Sequence, residues 1–145
     1  MTVPSDFQLK SMNALHRIVS TLTFGRVGNK LLGMPVLELT TTGRKSGEPR
    51  TCYLTSPLQL GDDLVIVASR GGDDHHPAWF LNLRDDPDVK VKLQGGAPMP
   101  MKARTTEGDE RAQLWDKLTA DHDNYAGYQK KTDREIPVVV LTRSD

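Results

Sequence analysis

The run Leu64-Val65-Ile66-Val67-Ala68 constrains this chain more than any other stretch. Five apolar residues in a row, three of them β-branched, lack the alternation of a half-exposed strand. They are too short for a buried helix, so they read as a central strand covered on both faces. Its surroundings follow the same logic. Val36 to Thr40 form a β-rich run, Thr41 to Gly47 a turn, and Thr51 to Thr55 a return strand, with Gly61-Asp62 turning into the central run. Val89, Val91 and Leu93 alternate with Lys90, Lys92 and Gln94, Gly95-Gly96 reverse the chain, and Met99, Met101 and Ala103 continue the alternation next to Pro100. Ile136 to Leu141 supply a last strand.

Two helices interrupt this meander. Pro77 suits a helix start, with Trp79, Phe80 and Leu83 on one face, and Thr106 with Asp109 predicts a cap before a stripe of Ala112, Trp115 and Leu118. Helix and strand do not alternate regularly. The expected fold class is therefore mostly β with flanking helices, about six largely antiparallel strands that hide their edges by curling into a barrel. At 145 residues the chain holds one core. The spacing of Leu9, Met12, Leu15, Ile18, Val19 and Leu22 predicts an amphipathic helix that continues through Leu31 and Leu32. Residues 1–34 are thus an N-terminal amphipathic helical segment, and residues 35–145 the barrel domain.

Charge sets limits on partners. Nineteen basic and nineteen acidic side chains balance, which excludes a broad nucleic-acid face. Cys52 is the only cysteine, so no intrachain disulfide or multi-cysteine metal site exists. The single cysteine suggests a reducing, cytoplasmic setting. No apolar run reaches spanning length, although the first helix allows weak peripheral attachment at the inner face of the cell membrane. His75-His76 and Asp121-His122-Asp123 carry metal-type donors but cannot readily converge, so no metal site is expected.

The richest local chemistry lies in Thr41-Thr42-Gly43-Arg44-Lys45-Ser46-Gly47-Glu48-Pro49-Arg50. Glycines bring backbone N–H groups close to a ligand, and three cations with three hydroxyls suit a phosphate or carboxylate. A second Gly-bearing stretch, Ala68-Ser69-Arg70-Gly71-Gly72, ends the central strand, where backbone can face a ring edge-on and Arg70 adds a cation. Tyr125 and Tyr128 share a face if helical. Together these features suggest a ligand with an anionic tail and a planar head. No acid–base pair for hydrolysis stands out, which favours a cofactor bringing its own reactivity.

Four ordered blocks give this sequence a resemblance to the deazaflavin (coenzyme F420)-dependent nitroreductase family of actinobacteria. They are Leu39 to Gly47 with Arg50, Val67 to Gly72, Pro77 to Leu83, and Tyr125 to Gln129 through Thr132 to Val138. The resemblance implies a split β-barrel, FMN-binding-like. It further implies a hydride passed from reduced deazaflavin to a quinone, enone or nitroaromatic acceptor. By the same likeness Arg44, Lys45, Ser46 and Arg50 hold the anionic tail. Arg70 stands where the family often has lysine, Ala68, Ser69 and Gly71 flank the ring, and Trp79 and Asn82 wall the pocket. Tyr125 and Tyr128 line the acceptor side, with Tyr128, then Tyr125 or Ser69, as candidate proton donors. Family members active on bicyclic nitroimidazoles carry tyrosine where Thr55 stands, so a quinone or enone is the expected acceptor. Relatives with such barrels commonly pair, which makes a homodimer an expectation. Two alternatives share the features read here: an FMN-dependent reductase of the same barrel class, and a non-catalytic F420-binding carrier.

Overall fold

The computed structural model describes residues 30–31 and 34–144. The helical periodicity of residues 9–29 lies outside them. In chain order the strands are β1 (Lys30–Leu31), β2 (Met34–Thr42), β3 (Pro49–Thr55), β4 (Leu58–Leu60), β5 (Asp63–Val67), β6 (Asp88–Leu93), β7 (Met99–Thr105) and β8 (Val138–Arg143). The helices are α1 (Ala78–Asp85), α2 (Gly108–Asp121) and α3 (Asn124–Gln129), with a single 3-10 turn at Arg70–Gly72. Every pairing is antiparallel, in the order β1-β2-β6-β7-β8-β5-β4, and β3 also pairs with β2.

The sheet curls into a half-barrel. Among the described pairings the ladder does not close: β3 borders only β2, and β4 only β5. Ser56, fully buried, bridges the gap between the two ends. Its N–H donates to the Pro35 carbonyl at 3.0 Å, and its Oγ lies 2.7 Å from the Val65 carbonyl oxygen.

The central run behaves as its composition requires. On β5 and just beyond it, Leu64, Ile66 and Ala68 enter an inner core with Leu37, Leu39, Val91, Met101, Val139 and Leu141. Val65 and Val67 point the other way, into an outer layer with Val138, Val140, Leu114 and Leu118. Two-sided burial explains why Leu64 to Val67 of β5 and Val138 to Leu141 of β8 are apolar without a break, while β6, covered on one face, alternates.

Three expectations change. Lys30–Leu31, where periodicity predicts a helix, form a strand registered against Pro35 and Met34. The count of about six strands becomes eight, because two short edge pieces, β1 and β4, were too brief to show a pattern. Thr106 does not cap α2: its hydroxyl donates to the Val138 carbonyl at 2.8 Å, tying β7 to β8, and the helix starts at Gly108. The buried pair on α2 is Leu114 and Leu118; Ala112 is exposed, and Trp115 is half-buried under the Arg111 guanidinium.

Leu118 joins α2 to the outer face of the sheet with no exposed surface. Leu118→Ala is expected to lower unfolding stability by about 2–5 kcal/mol in urea titrations.

Candidate functional site

Between β2 and β3 the chain reverses through two backbone hydrogen bonds, Gly43 N–H to Glu48 O and Gly47 N–H to Gly43 O, both at 2.8 Å. Ser46 turns its hydroxyl inward. Its Oγ accepts from Glu48 N–H at 3.1 Å and from Arg50 Nη2 at 3.3 Å. A Cβ on residue 43 would meet that Oγ at 2.7 Å and the Glu48 carbonyl oxygen at 3.2 Å, so a side chain here would force Ser46 to move. Arg44, Lys45 and Arg50 are exposed on this turn. Asn82, buried on α1, braces the turn from below. Its Oδ1 accepts from Arg44 N–H and from Arg44 Nη1, each at 3.2 Å, while its Nδ2 donates to Thr41 Oγ1 at 3.1 Å. One amide thus sets where the cationic turn begins.

The stretch after β5 is more constrained. Arg70, Gly71 and Gly72 take φ values of +47°, +65° and +86°, three successive residues in the left-handed region. Arg70 is the only described non-glycine residue in that conformation, and its Nη1 pairs with the Asp73 carboxylate at 2.9 Å. A Cβ at Gly72 would lie 2.7 Å from the Tyr128 carbonyl oxygen, so the loop and α3 touch backbone to backbone.

Arg134 holds this loop from the far side. Its Nε donates to Asp73 O at 2.8 Å, its Nη2 to Ser69 O at 2.9 Å, and both terminal nitrogens to Ala68 O at 3.2 Å. Its Nη1 also lies 3.1 Å from His76 Nδ1, which accepts this bond only when unprotonated there. The His76 ring packs on Phe80 at 4.8 Å between centroids. Burial first, then the positive charges of Arg134 and Arg84, hold His76 below the ordinary imidazole range.

The two tyrosines share α3, their rings edge-on at 6.0 Å, and both pack on the outer layer to different depths. Tyr125 is buried in the outer layer with its hydroxyl 3.6 Å from the Met34 sulfur. Burial raises its phenol pKa, opposed by a hydrogen bond with Thr55. Tyr128 is half-buried. Trp79 packs against the inner core, edge-on to Phe80. Cys52, half-buried beside the same core, has its thiol pushed up to about 12 by burial.

The structure therefore gathers the predicted residues into groups. Arg44, Asn82 and Thr41 form one; Ser46 and Arg50 form a second within the same turn. Ala68, Ser69, Arg70 and Gly71 join the tyrosines through Gly72. Helix α1 links the turn to the loop, since the chain runs from Arg70 through His76 and Phe80 to Asn82. Sequence reasoning missed the role of Arg134, because its partners are carbonyls more than sixty residues away, which no side-chain pattern announces. It missed Lys131 as well, whose stem lies against Gly72.

A sequence profile described as F420H(2)-dependent quinone reductase matches residues 14–143. An F420H(2)-dependent quinone reductase of Mycobacterium tuberculosis is 41% identical over 133 residues, covering 89% of this chain and 88% of that protein. Among solved structures, an F420-H2 dependent reductase (FDR-A) superposes with a TM-score of 0.65 at 40% identity, covering 74% of this chain and 93% of its own. A second, described as a domain-swapped dimer, gives 0.66 at 35% identity over 91% of this chain and 96% of its own.

Gly72→Ala is expected to destabilise by about 1–3 kcal/mol, since it combines a left-handed backbone with a backbone clash; thermal unfolding measures it. For His76 the sign is also fixed. A folded-state pKa below the unfolded value means the unfolded chain binds the extra proton first, so stability falls as pH drops below about 6.5. His76→Gln should flatten that acid limb in unfolding curves recorded from pH 8 to 5.

Proposed function

The chain belongs to the F420H(2)-dependent quinone reductase family, and from that premise we propose that it binds coenzyme F420 and reduces a small quinone or enone. The observation that carries this reading is the exposed Arg44-Lys45-Arg50 turn anchored on buried Asn82. Three cations on a braced turn suit the phosphate and carboxylates of a long anionic tail, because charge-assisted hydrogen bonds gain most when the donors are already positioned. When bound, reduced F420 supplies a hydride from its ring.

The protein's own contributions are position and polar contacts. Arg134 fixes the carbonyls of Ala68 and Ser69, which shapes the backbone beside which the ring would lie. Tyr128, half-buried next to Gly72, is the proton donor in this reading; a positioned donor of this kind contributes roughly 10²- to 10⁴-fold in rate. Tyr125 serves as a wall, since its hydroxyl already faces Met34. Thr55 beside Tyr125 replaces an aromatic wall by a small polar one, which supports a quinone or enone over a bicyclic nitroaromatic. The relative described as a domain-swapped dimer supports self-association of this chain.

Fluorescence titration with oxidised F420 and with FMN tests the cofactor, and loss of reduced F420 absorbance with menadione, an enone and a nitroaromatic tests the acceptor. Arg44→Gln with Arg50→Gln should weaken F420 binding by about 10- to 100-fold. Tyr128→Phe should lower turnover by about 10²-fold or more with binding unchanged. Tight FMN without F420 would replace this reading by a flavin reductase, and F420 binding without turnover of any acceptor by a carrier.

A further inference from the structure

Lys131 follows α3 and lies against the 3-10 turn, its Cβ and Cδ each 3.1 Å from where a Gly72 side chain would begin. Its Nζ is covered from solvent and has no hydrogen-bond partner, alone among the buried side-chain nitrogens and oxygens of the described residues. An ammonium carries three donors, and leaving them unmet away from water is costly. The nearest compensation is the Tyr128 ring, whose centroid lies 5.7 Å from Nζ, at the outer limit of a cation–π contact. Nearby cations are otherwise engaged. Arg70 pairs with Asp73, and Arg134 is taken up by carbonyls.

A buried ammonium with three unmet donors beside Gly72 and Tyr128 is suited to receive an anionic oxygen. The residue as a whole is only half-buried, and its four-carbon stem is flexible, so the ammonium can turn outward without moving the backbone. Gly72 offers no side chain to block it. We propose that Lys131 is a ligand-binding residue for an anionic oxygen received beside Gly72 and Tyr128, its ammonium resting over the tyrosine ring until that oxygen arrives. The proposal rests on the functional reading above for its two sources of such an oxygen: the phosphate or carboxylates of the cofactor tail, and the acceptor oxygen that gains negative charge as it is reduced. A lysine with only a packing role would behave differently. Replacing its buried ammonium by an apolar group would raise Tm and leave ligands unaffected.

The test compares wild type with Lys131→Met and Lys131→Arg, using Lys131→Gln if the methionine variant does not fold. Three probes are used: F420, the deazaflavin headgroup without its phosphate tail, and turnover with menadione. A tail contact predicts F420 affinity weakened by about 10- to 100-fold in Lys131→Met with headgroup affinity unchanged. A contact with the acceptor predicts unchanged affinity for both and a fall of about tenfold or more in kcat. In either case Lys131→Arg restores most of the loss. Wild-type binding and turnover in Lys131→Met overturn the proposal. If wild type binds neither F420 nor the headgroup, the functional reading falls on its own. Inorganic phosphate then decides the lysine: a rise in wild-type Tm with millimolar phosphate that Lys131→Met lacks supports it, and equal responses overturn it.

Discussion

The fork of Arg134 is the contact on which the rest of the candidate site depends. Three of its nitrogens bind the carbonyls of Ala68, Ser69 and Asp73, at the point where the chain leaves the central strand and turns left-handed for three residues. A backbone of that shape is unfavourable for Arg70, which has a side chain, and persists only where its surroundings over-determine it. The guanidinium supplies that determination, since its planar donors fit several carbonyls at once and keep their charge at any physiological pH. From this loop the chain passes through His76 and Phe80 into α1, and α1 presents Asn82 to the cationic turn. One half-buried cation near the end of the sequence thereby sets the geometry of two loops far earlier in it.

How much of this was legible beforehand depends on the range of each interaction. The central strand, the alternation on β6 and β7, and the helix after Pro77 all appeared in the residues, because burial on one face or two leaves a period that can be counted. The short pieces β1 and β4 escaped: two or three residues leave no period. Thr106 misled for a related reason. A hydroxyl before a helix suits a cap, but here the chain brings the Val138 carbonyl within 2.8 Å and the long-range partner wins. The candidate site divides in the same way. Arg44, Lys45 and Arg50 were visible because glycine and charge cluster locally, whereas the Asn82 brace, the Arg134 fork and the orphaned Lys131 depend on contacts made only after folding.

Family likeness and geometry bear on different questions. The match over residues 14–143 establishes kinship, and the sheet order establishes a half-barrel whose ends are joined through Ser56. In the proposed function the choice among flat acceptors falls to few side chains, among them Thr55, Tyr125 and Tyr128. Of the two tyrosines, Tyr125 is buried in the outer layer and Tyr128 packs against that layer half-buried. The same fold therefore accommodates changes of acceptor at little cost to its framework.

Cys52 sits beside the inner core with its thiol pushed up to about 12, and no second cysteine occurs anywhere in the 145 residues. At neutral pH it is almost entirely protonated, and a protonated thiol is a poor nucleophile toward peroxides, alkylating agents or mixed disulfides. The one thiol in the sequence is therefore held in its least reactive form.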